Sequence, residues 1–434
     1  MRATLDDRAW LQAMLDVEAA LAGALADAGV VTSAQAEAVA GACDAARFDV
    51  GDLARRAARA GNPVIPLVAD LRVLVPAEAA AAVHRGATSQ DIVDTSLMLL
   101  GARALGPAEA GMSRAIDAAA TLAQRHRLDL APGRTLLQHA VPITFGLTAA
   151  TWTVGLVDAR TTLRGARRRL AVQLGGAAGT LGALDDAGIS VVERVAERLG
   201  LAAPPLPWAT TRGRMAELTL ALAIAAGAMG KVATDIIALM QTEVGEVREH
   251  GCGGSSAMPH KRNPAGAALV VSAAHQVAGA AGVVLAAQLQ AHQRSAGTWH
   301  AEWEPVRRAL ELTAGSAERL ADLVEGLEVD PARMRANLDL TGGLVMSEAV
   351  AGALVAGGLD PAAAAAAVSR CAAQAVASDK PLAEVLAADP SVAGVLDEDT
   401  LAGALDPALH LGSTDAFIDR AVAYARDDLG GATP

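Results

Sequence analysis

A chain of 434 residues is too long for one small core and long enough for two or three domains. Its formal net charge of −12 argues against non-specific nucleic-acid binding, and 52% hydrophobic residues supply a large core. Aromatic residues make up only 2% and alanine abounds, so the composition favours helix over strand and predicts an all-α fold. Cys43, Cys252 and Cys371 are odd in number and widely spaced, which fits a reducing cytoplasm and not a disulfide framework. The start, MRATLDD, has no basic stretch followed by an apolar one, so no signal peptide is expected.

Apolar residues recur at helical spacing from 8 to 29, and Thr32 with Gln35 predicts a capping box for the next helix. Pro76 and Pro107 are expected in the first turns of helices. Between them Gly86 breaks the chain, before a helix capped by Thr88 or Ser89. A helix from about 107 to 129 and a turn at Ala131-Pro132-Gly133 follow, and Pro142 is expected to open a helix reaching about 174. Residues 174–186 read as a glycine-rich loop and 204–214 as a proline-rich one. A very long helix then leads to a polar loop near 251, with more long helices behind it and a boundary at Gly342-Gly343. Residues 266–289 are apolar enough to span a bilayer. His275 and Gln276 at their centre favour the middle of a large helical bundle, so no membrane partner is expected.

Three strings carry chemistry. In Gly254-Ser255-Ser256-Ala257-Met258-Pro259-His260-Lys261-Arg262-Asn263-Pro264, two prolines bound a segment loosened by glycine and serine. Its hydroxyl, ammonium and carboxamide, at Ser255, Lys261 and Asn263, suit proton movement at a carbon beside a carboxylate. Any one of these residues alone fits an ordinary polar loop. In His84-Arg85-Gly86-Ala87-Thr88-Ser89-Gln90-Asp91, two hydroxyls at a helix start make an anion site, with a plain cap as the alternative. Trp299-His300-Ala301-Glu302-Trp303 holds two of five tryptophans, which alone would read as core anchors. Arg212 and Arg214 are candidates for further positive charge. LGGAAGTLG lacks the ending of a phosphate loop. His250, Cys252 and His260 match no zinc-finger spacing, so no metal is expected, and nothing marks a base that would activate Cys252.

These strings resemble the fumarase/aspartase superfamily and, within it, the bacterial 3-carboxy-cis,cis-muconate cycloisomerases. TEVGEV at 242–247, RTLLQHAVPITFG from Arg134 and NLDLTGGLVMSE at 337–348 carry the resemblance from about residue 5 to 350. It implies three helical domains: residues 1–101, a central long-helix bundle at 102–345, and 346–434. It also implies a cytoplasmic homotetramer with sites shared between subunits, a small di- or tricarboxylate substrate and no cofactor. Ser255 is then the proton-transfer residue, and Lys261 and Asn263 hold carboxylate. Thr88, Ser89, Gln90, His84, Arg294 and Trp299 bind substrate, and His139 orients or polarises it.

Two positions depart from most of the superfamily. Leu136 stands where a histidine follows the threonine, and Ala268 where its glutamate partner lies seven residues after the lysine. Expelling hydroxide or an amine needs a general acid; a carboxylate leaving group or nucleophile does not. The departure fits closure of carboxymuconate to 4-carboxymuconolactone in protocatechuate (β-ketoadipate) degradation, where a substrate carboxylate adds to its own double bond. It also fits release of nitrite from nitrosuccinate, and it disfavours adenylosuccinate cleavage. A non-catalytic helical tetramer is opposed by the intact Ser255, Lys261 and Asn263.

Overall fold

A computed structural model describes residues 5–430 apart from 252, 255–257 and 259. Ser255 and Cys252 therefore lie outside the described residues. Helices α1 (Asp7–Asp27), α2 (Ser33–Ala42), α3 (Val50–Ala60) and α4 (Val64–Leu74) precede a long α5 (Ser89–Arg125). Strands β1 (Leu130–Thr135) and β2 (Gln138–Thr144) lead to α6 (Phe145–Arg167), α7 (Gly188–Leu199) and α8 (Gly213–Leu239). After them come the short strands β3 (Val247–Arg248), β4 (Gly253–Gly254) and β5 (Arg262–Asn263), then α9 (Ala265–Ala286), α10 (Thr298–Ala301) and α11 (Trp303–Glu325). The rest comprises β6 (Glu328–Val329), α12 (Pro331–Asp339), α13 (Ser347–Ala356), α14 (Pro361–Ser378), α15 (Leu382–Ala388), α16 (Pro390–Ala393), α17 (Glu398–Leu405) and α18 (Thr414–Leu429). The fold is all-α, with three two-stranded ladders among the described residues.

The chain divides into two compact units. One comprises residues 1–112, 158–231 and 269–320; the other comprises 113–157, 232–268 and 321–434. Helices α5, α6, α8, α9 and α11 contribute residues to both. In the first unit Asp6 caps α1, and the expected box forms: Gln35 N–H donates to Thr32 Oγ1 at 3.2 Å and Thr32 N–H to Gln35 Oε1 at 3.0 Å. In the second unit, residues beyond the left-handed pair Gly342 and Gly343 build a separate apolar cluster around Val350, Leu354, Leu382, Leu386 and Val392.

Three expectations about prolines need correction. Pro107 lies inside α5 and does not open a helix. An interior proline costs about 3 kcal/mol. The buried Leu97, Met98, Leu100, Leu105, Met112 and Ile116 of α5 outweigh that, at about 1.5–3 kcal/mol for each large side chain. Pro142 sits in β2 opposite Pro132, and α6 begins at Phe145, where Thr144 Oγ1 accepts from Leu147 N–H at 3.2 Å. Helix α6 ends at Arg167, short of the expected 174. Pro76 precedes a 3-10 helix, Ala77–Ala82, and not an α-helix.

Helices α1, α8 and α9 are long and apolar enough to cross a membrane, with 61%, 50% and 28% of their most apolar windows buried within the chain. Helix α9 leaves Leu269, Val283 and Leu285 exposed, and Leu220 and Ile224 of α8 are exposed as well.

Candidate active site

The candidate residues fall on both units, and each group stands by itself. In the first unit, Asp91 at the third position of α5 fixes the helix start by accepting the N–H of Thr88, the residue before the helix, while the Thr88 hydroxyl, expected as a cap, accepts from Arg294. Its Oδ2 accepts from Thr88 N–H at 3.0 Å and from Gly176 N–H at 2.9 Å. Oδ1 accepts from Gln173 Nε2 at 3.0 Å and Gly175 N–H at 3.1 Å. One buried carboxylate thus ties the start of α5 to the glycine-rich loop. Burial pushes its pKa up to about 6, against those four hydrogen bonds.

The hydroxyl of Thr88 accepts from Arg294 Nη1 at 3.0 Å, while Nη2 donates to the carbonyls of Gly176 at 3.2 Å and Ala177 at 3.0 Å. Thr88, Ser89 and Arg294 are half-buried. His84 precedes them with φ +61°, its Nδ1 2.6 Å from Glu18 Oε1. Gly86 between them has φ +76°, and a Cβ there would lie 2.5 Å from Leu184. Only glycine fits that turn.

Behind this face lies a buried ion cluster. Arg212 Nη1 and Nη2 donate to Asp94 at 2.6 and 3.0 Å, and Nε and Nη2 reach Glu302 at 3.0 and 2.5 Å. None of the three side chains is exposed. Arg212 thus adds no net positive charge: two carboxylates surround it. Burial raises the Glu302 pKa, partly offset by Arg212. Gln90 Nε2 and Trp299 Nε1 donate to Asp94 at 3.1 and 3.0 Å. Trp299 also meets Trp303 edge to face at 4.8 Å. Arg214 donates to the Arg169 carbonyl at 2.8 Å.

In the second unit, Gly253 pairs with Asn263 and Gly254 with Arg262. The residue before Ser255 is therefore held beside the residue after Lys261. Lys261 is exposed and Asn263 half-buried. His139 faces Arg134 across the β1–β2 ladder. Its pKa is lowered by burial and then by Arg134, with Glu246 opposing, so the ring is neutral at pH 7. Arg134 forks onto Glu246 at 3.0 and 2.5 Å, and Asn337 Nδ2 donates to the same carboxylate at 2.7 Å. Three strings far apart in sequence thus meet at Glu246. Leu136 and Leu137 form the hairpin tip with φ +50° and +65°, 96% and 80% exposed. Ala268 is exposed on α9.

Among the described residues no group of three or more His, Cys, Asp or Glu side chains is arranged to hold a metal. Cys43 and Cys371 are free and buried, and burial pushes the Cys43 thiol up to about 12. Sequence reasoning missed Glu18, Asp91, Asp94, Glu246 and Asn337. A signal existed for Glu18, an acid on the buried stripe that contains Leu11, Met14, Leu21 and Leu25.

A long-helix fold whose sequence carries the serine- and lysine-bearing string 254–264 defines an enzyme of the lyase type. A family model described as Lyase matches residues 1–279, and one described as Adenylosuccinate lyase C-terminus matches 343–421. The chain belongs to the fumarase/aspartase superfamily. It is 50% identical over 361 residues, 82% of this chain and 80% of the relative, to a 3-carboxy-cis,cis-muconate cycloisomerase of Bradyrhizobium diazoefficiens. It is 44% identical over 436 residues, 97% of this chain and 92% of the relative, to a nitrosuccinate lyase of Streptomyces davaonensis. The crystal structure of the 3-carboxy-cis,cis-muconate lactonizing enzyme from Pseudomonas putida superimposes with a TM-score of 0.93 at 43% identity, covering 98% of this chain and 97% of that one.

Proposed function

We propose that the protein closes 3-carboxy-cis,cis-muconate to 4-carboxymuconolactone. The observation that carries the reading is what replaces the acid pair: an exposed leucine tip at 136 and an exposed alanine at 268, with Lys261 and Asn263 in place. The cycloisomerase relatives support it.

Lys261, Asn263, Thr88 and Ser89 hold the substrate carboxylates, with Arg294 fixing the Thr88 hydroxyl and Gln90 and Trp299 anchored behind them. A carboxylate oxygen of the substrate attacks its own alkene carbon. The displaced electron pair passes into an adjacent carboxylate, where Lys261 and Asn263 stabilise the aci-carboxylate. Ser255 delivers its proton to the carbon and is then reprotonated. A neutral His139 orients or polarises the substrate and is no acid at pH 7. No cofactor takes part.

The protein works as a cytoplasmic homotetramer divided into domains at residues 101 and 345, with sites shared between subunits. Helix α9 exposes Leu269, Val283 and Leu285 and has only 28% of its most apolar window buried in one chain, and with His275 and Gln276 at its centre this supports burial against other copies over a lipid partner. The test is an absorbance assay. Loss of the carboxymuconate diene is expected; brisk cleavage of adenylosuccinate without it would overturn the reading. The relative from Streptomyces davaonensis supports a second one, nitrite release from nitrosuccinate, which the same assay separates by fumarate formation.

A further inference from the structure

Glu18 is a wholly buried acid in the apolar stripe of α1, and its Oε2 meets no hydrogen-bond partner. Such a carboxylate is tolerated where an opposite charge stands against it. Its partner is His84, held in the left-handed region at φ +61° with Nδ1 2.6 Å away. That contact takes Nδ1 and leaves Nε2 for a ligand, on a side chain still 15% exposed. His84 lies four residues before Thr88, in the segment that Gly86 packs against Leu184.

We propose that Glu18 keeps His84 as an imidazolium whose Nε2–H binds one carboxylate of a tricarboxylate substrate. Glu18 is then a positioning residue and His84 the contact that separates tri- from dicarboxylates. The inference rests on the carboxylate-substrate reading above. Lys261 with Asn263 and Thr88 with Ser89 provide for two carboxylates, and His84 provides for the third. The charged groups facing His84 are Glu18 from α1, Asp91 from α5 and Arg72 from α4. Burial disfavours the charged ring and Arg72 opposes it, but the hydrogen bond and charge of Glu18, with Asp91, raise the pKa above that of a free histidine. Binding of the third carboxylate is therefore full at low pH and lost as pH rises through that raised value.

The test uses the full-length protein with two inert probes, propane-1,2,3-tricarboxylate and succinate, titrated calorimetrically from about pH 7 to 9.5, where both are ionised. In the wild type the tricarboxylate loses affinity as pH rises and succinate does not. Glu18→Gln moves that loss to lower pH and weakens the tricarboxylate about tenfold near neutrality, sparing succinate. His84→Gln abolishes the pH dependence. The ring resonance missing in His84→Gln titrates at lower pH in Glu18→Gln. An unmoved titration, or equal weakening of both probes, overturns the proposal. Should Glu18→Gln fail to fold, His84→Gln decides alone: an undiminished preference for the tricarboxylate overturns it. A wild type that ignores carboxymuconate yet behaves this way toward the probes would remove the reaction assigned above and leave the dyad standing.

Discussion

Gly176 donates its backbone N–H to Asp91 at 2.9 Å. The carboxylate takes three more donors, from Thr88, Gln173 and Gly175. Because Arg294 grips the Gly176 carbonyl and the Thr88 hydroxyl, both ends of this link belong to one anchored surface. One carboxylate and one guanidinium thus tie the helix start to the glycine-rich loop.

That link sets a pH dependence with opposite signs for activity and stability. Asp91 has its pKa raised to about 6. Below that pH it gains a proton, one oxygen stops accepting, and a buried N–H loses its partner. Turnover per unit of substrate, kcat/KM, should fall as pH drops through about 6. Stability runs the other way, because the folded chain holds this proton more tightly than the unfolded chain. The contribution is complete below the unfolded value and is lost as pH rises through the folded one, on the order of 3 kcal/mol. Asp91→Asn should lower kcat/KM about tenfold and flatten the acidic limb. A pH–rate profile with denaturant midpoints at each pH reads both effects.

Replacing Arg212 with Met should leave Asp94 and Glu302 buried without their cation. Breaking a buried pair this way costs about 3–5 kcal/mol. Urea unfolding of Arg212→Met should show that loss, with an unchanged m-value if the native state stays compact. Arg212→Lys should recover only part, since an ammonium cannot fork onto two carboxylates as a guanidinium does. A loss under about 1 kcal/mol would mean that the cluster is not a closed charge system.

Local rules read the sequence well where a few neighbouring residues decide the outcome. Thr32 and Gln35 cap α2 as expected. They failed at Pro107, because a long buried face outweighed one lost hydrogen bond and the cost lies outside any local window. They failed at Pro142, where the cap came from Thr144 two residues later. The strings RTLLQH, TEVGEV and NLDLTGG were visible, but their meeting at Glu246 is a tertiary fact that spacing does not encode. The same holds for Glu18: its place on a buried stripe was legible, and the histidine it serves lies 66 residues away.

If copies of the chain cover the apolar face of α9, a charge placed there should prevent assembly. Val283→Glu with Leu285→Glu alters two side chains that are 44% and 41% exposed in the single chain, so the fold itself should survive. Buried in an interface, each unpaired carboxylate would cost several kcal/mol. Sedimentation should show smaller species with unchanged helical content, and turnover should vanish with the shared sites. A variant that sediments like the wild type would place the interface elsewhere.

Ser255→Ala should lower turnover by about two to four orders of magnitude, the range for removing a proton-transfer group. Affinity for an inert tricarboxylate should change little, because Lys261, Asn263 and the Thr88 segment remain. Unchanged turnover would remove Ser255 from the mechanism.

The hairpin tip is the last position where conformation and chemistry pull apart. Leu136 and Leu137 both occupy φ > 0, which costs a non-glycine residue about 1–2 kcal/mol each. A two-residue hairpin of this kind favours Asn-Gly. Leu136→Asn with Leu137→Gly should therefore stabilise the protein by about 1 kcal/mol, after the extra unfolded-state entropy of glycine is subtracted. Strain that persists on a surface loop calls for a compensating use. An exposed apolar tip where most of the superfamily carries a histidine suits covering a reacting carbon that needs no acid. The double variant should accordingly gain stability in thermal melts and lose about tenfold in kcat/KM. A more stable protein with full turnover would show that the leucines take no part in the chemistry.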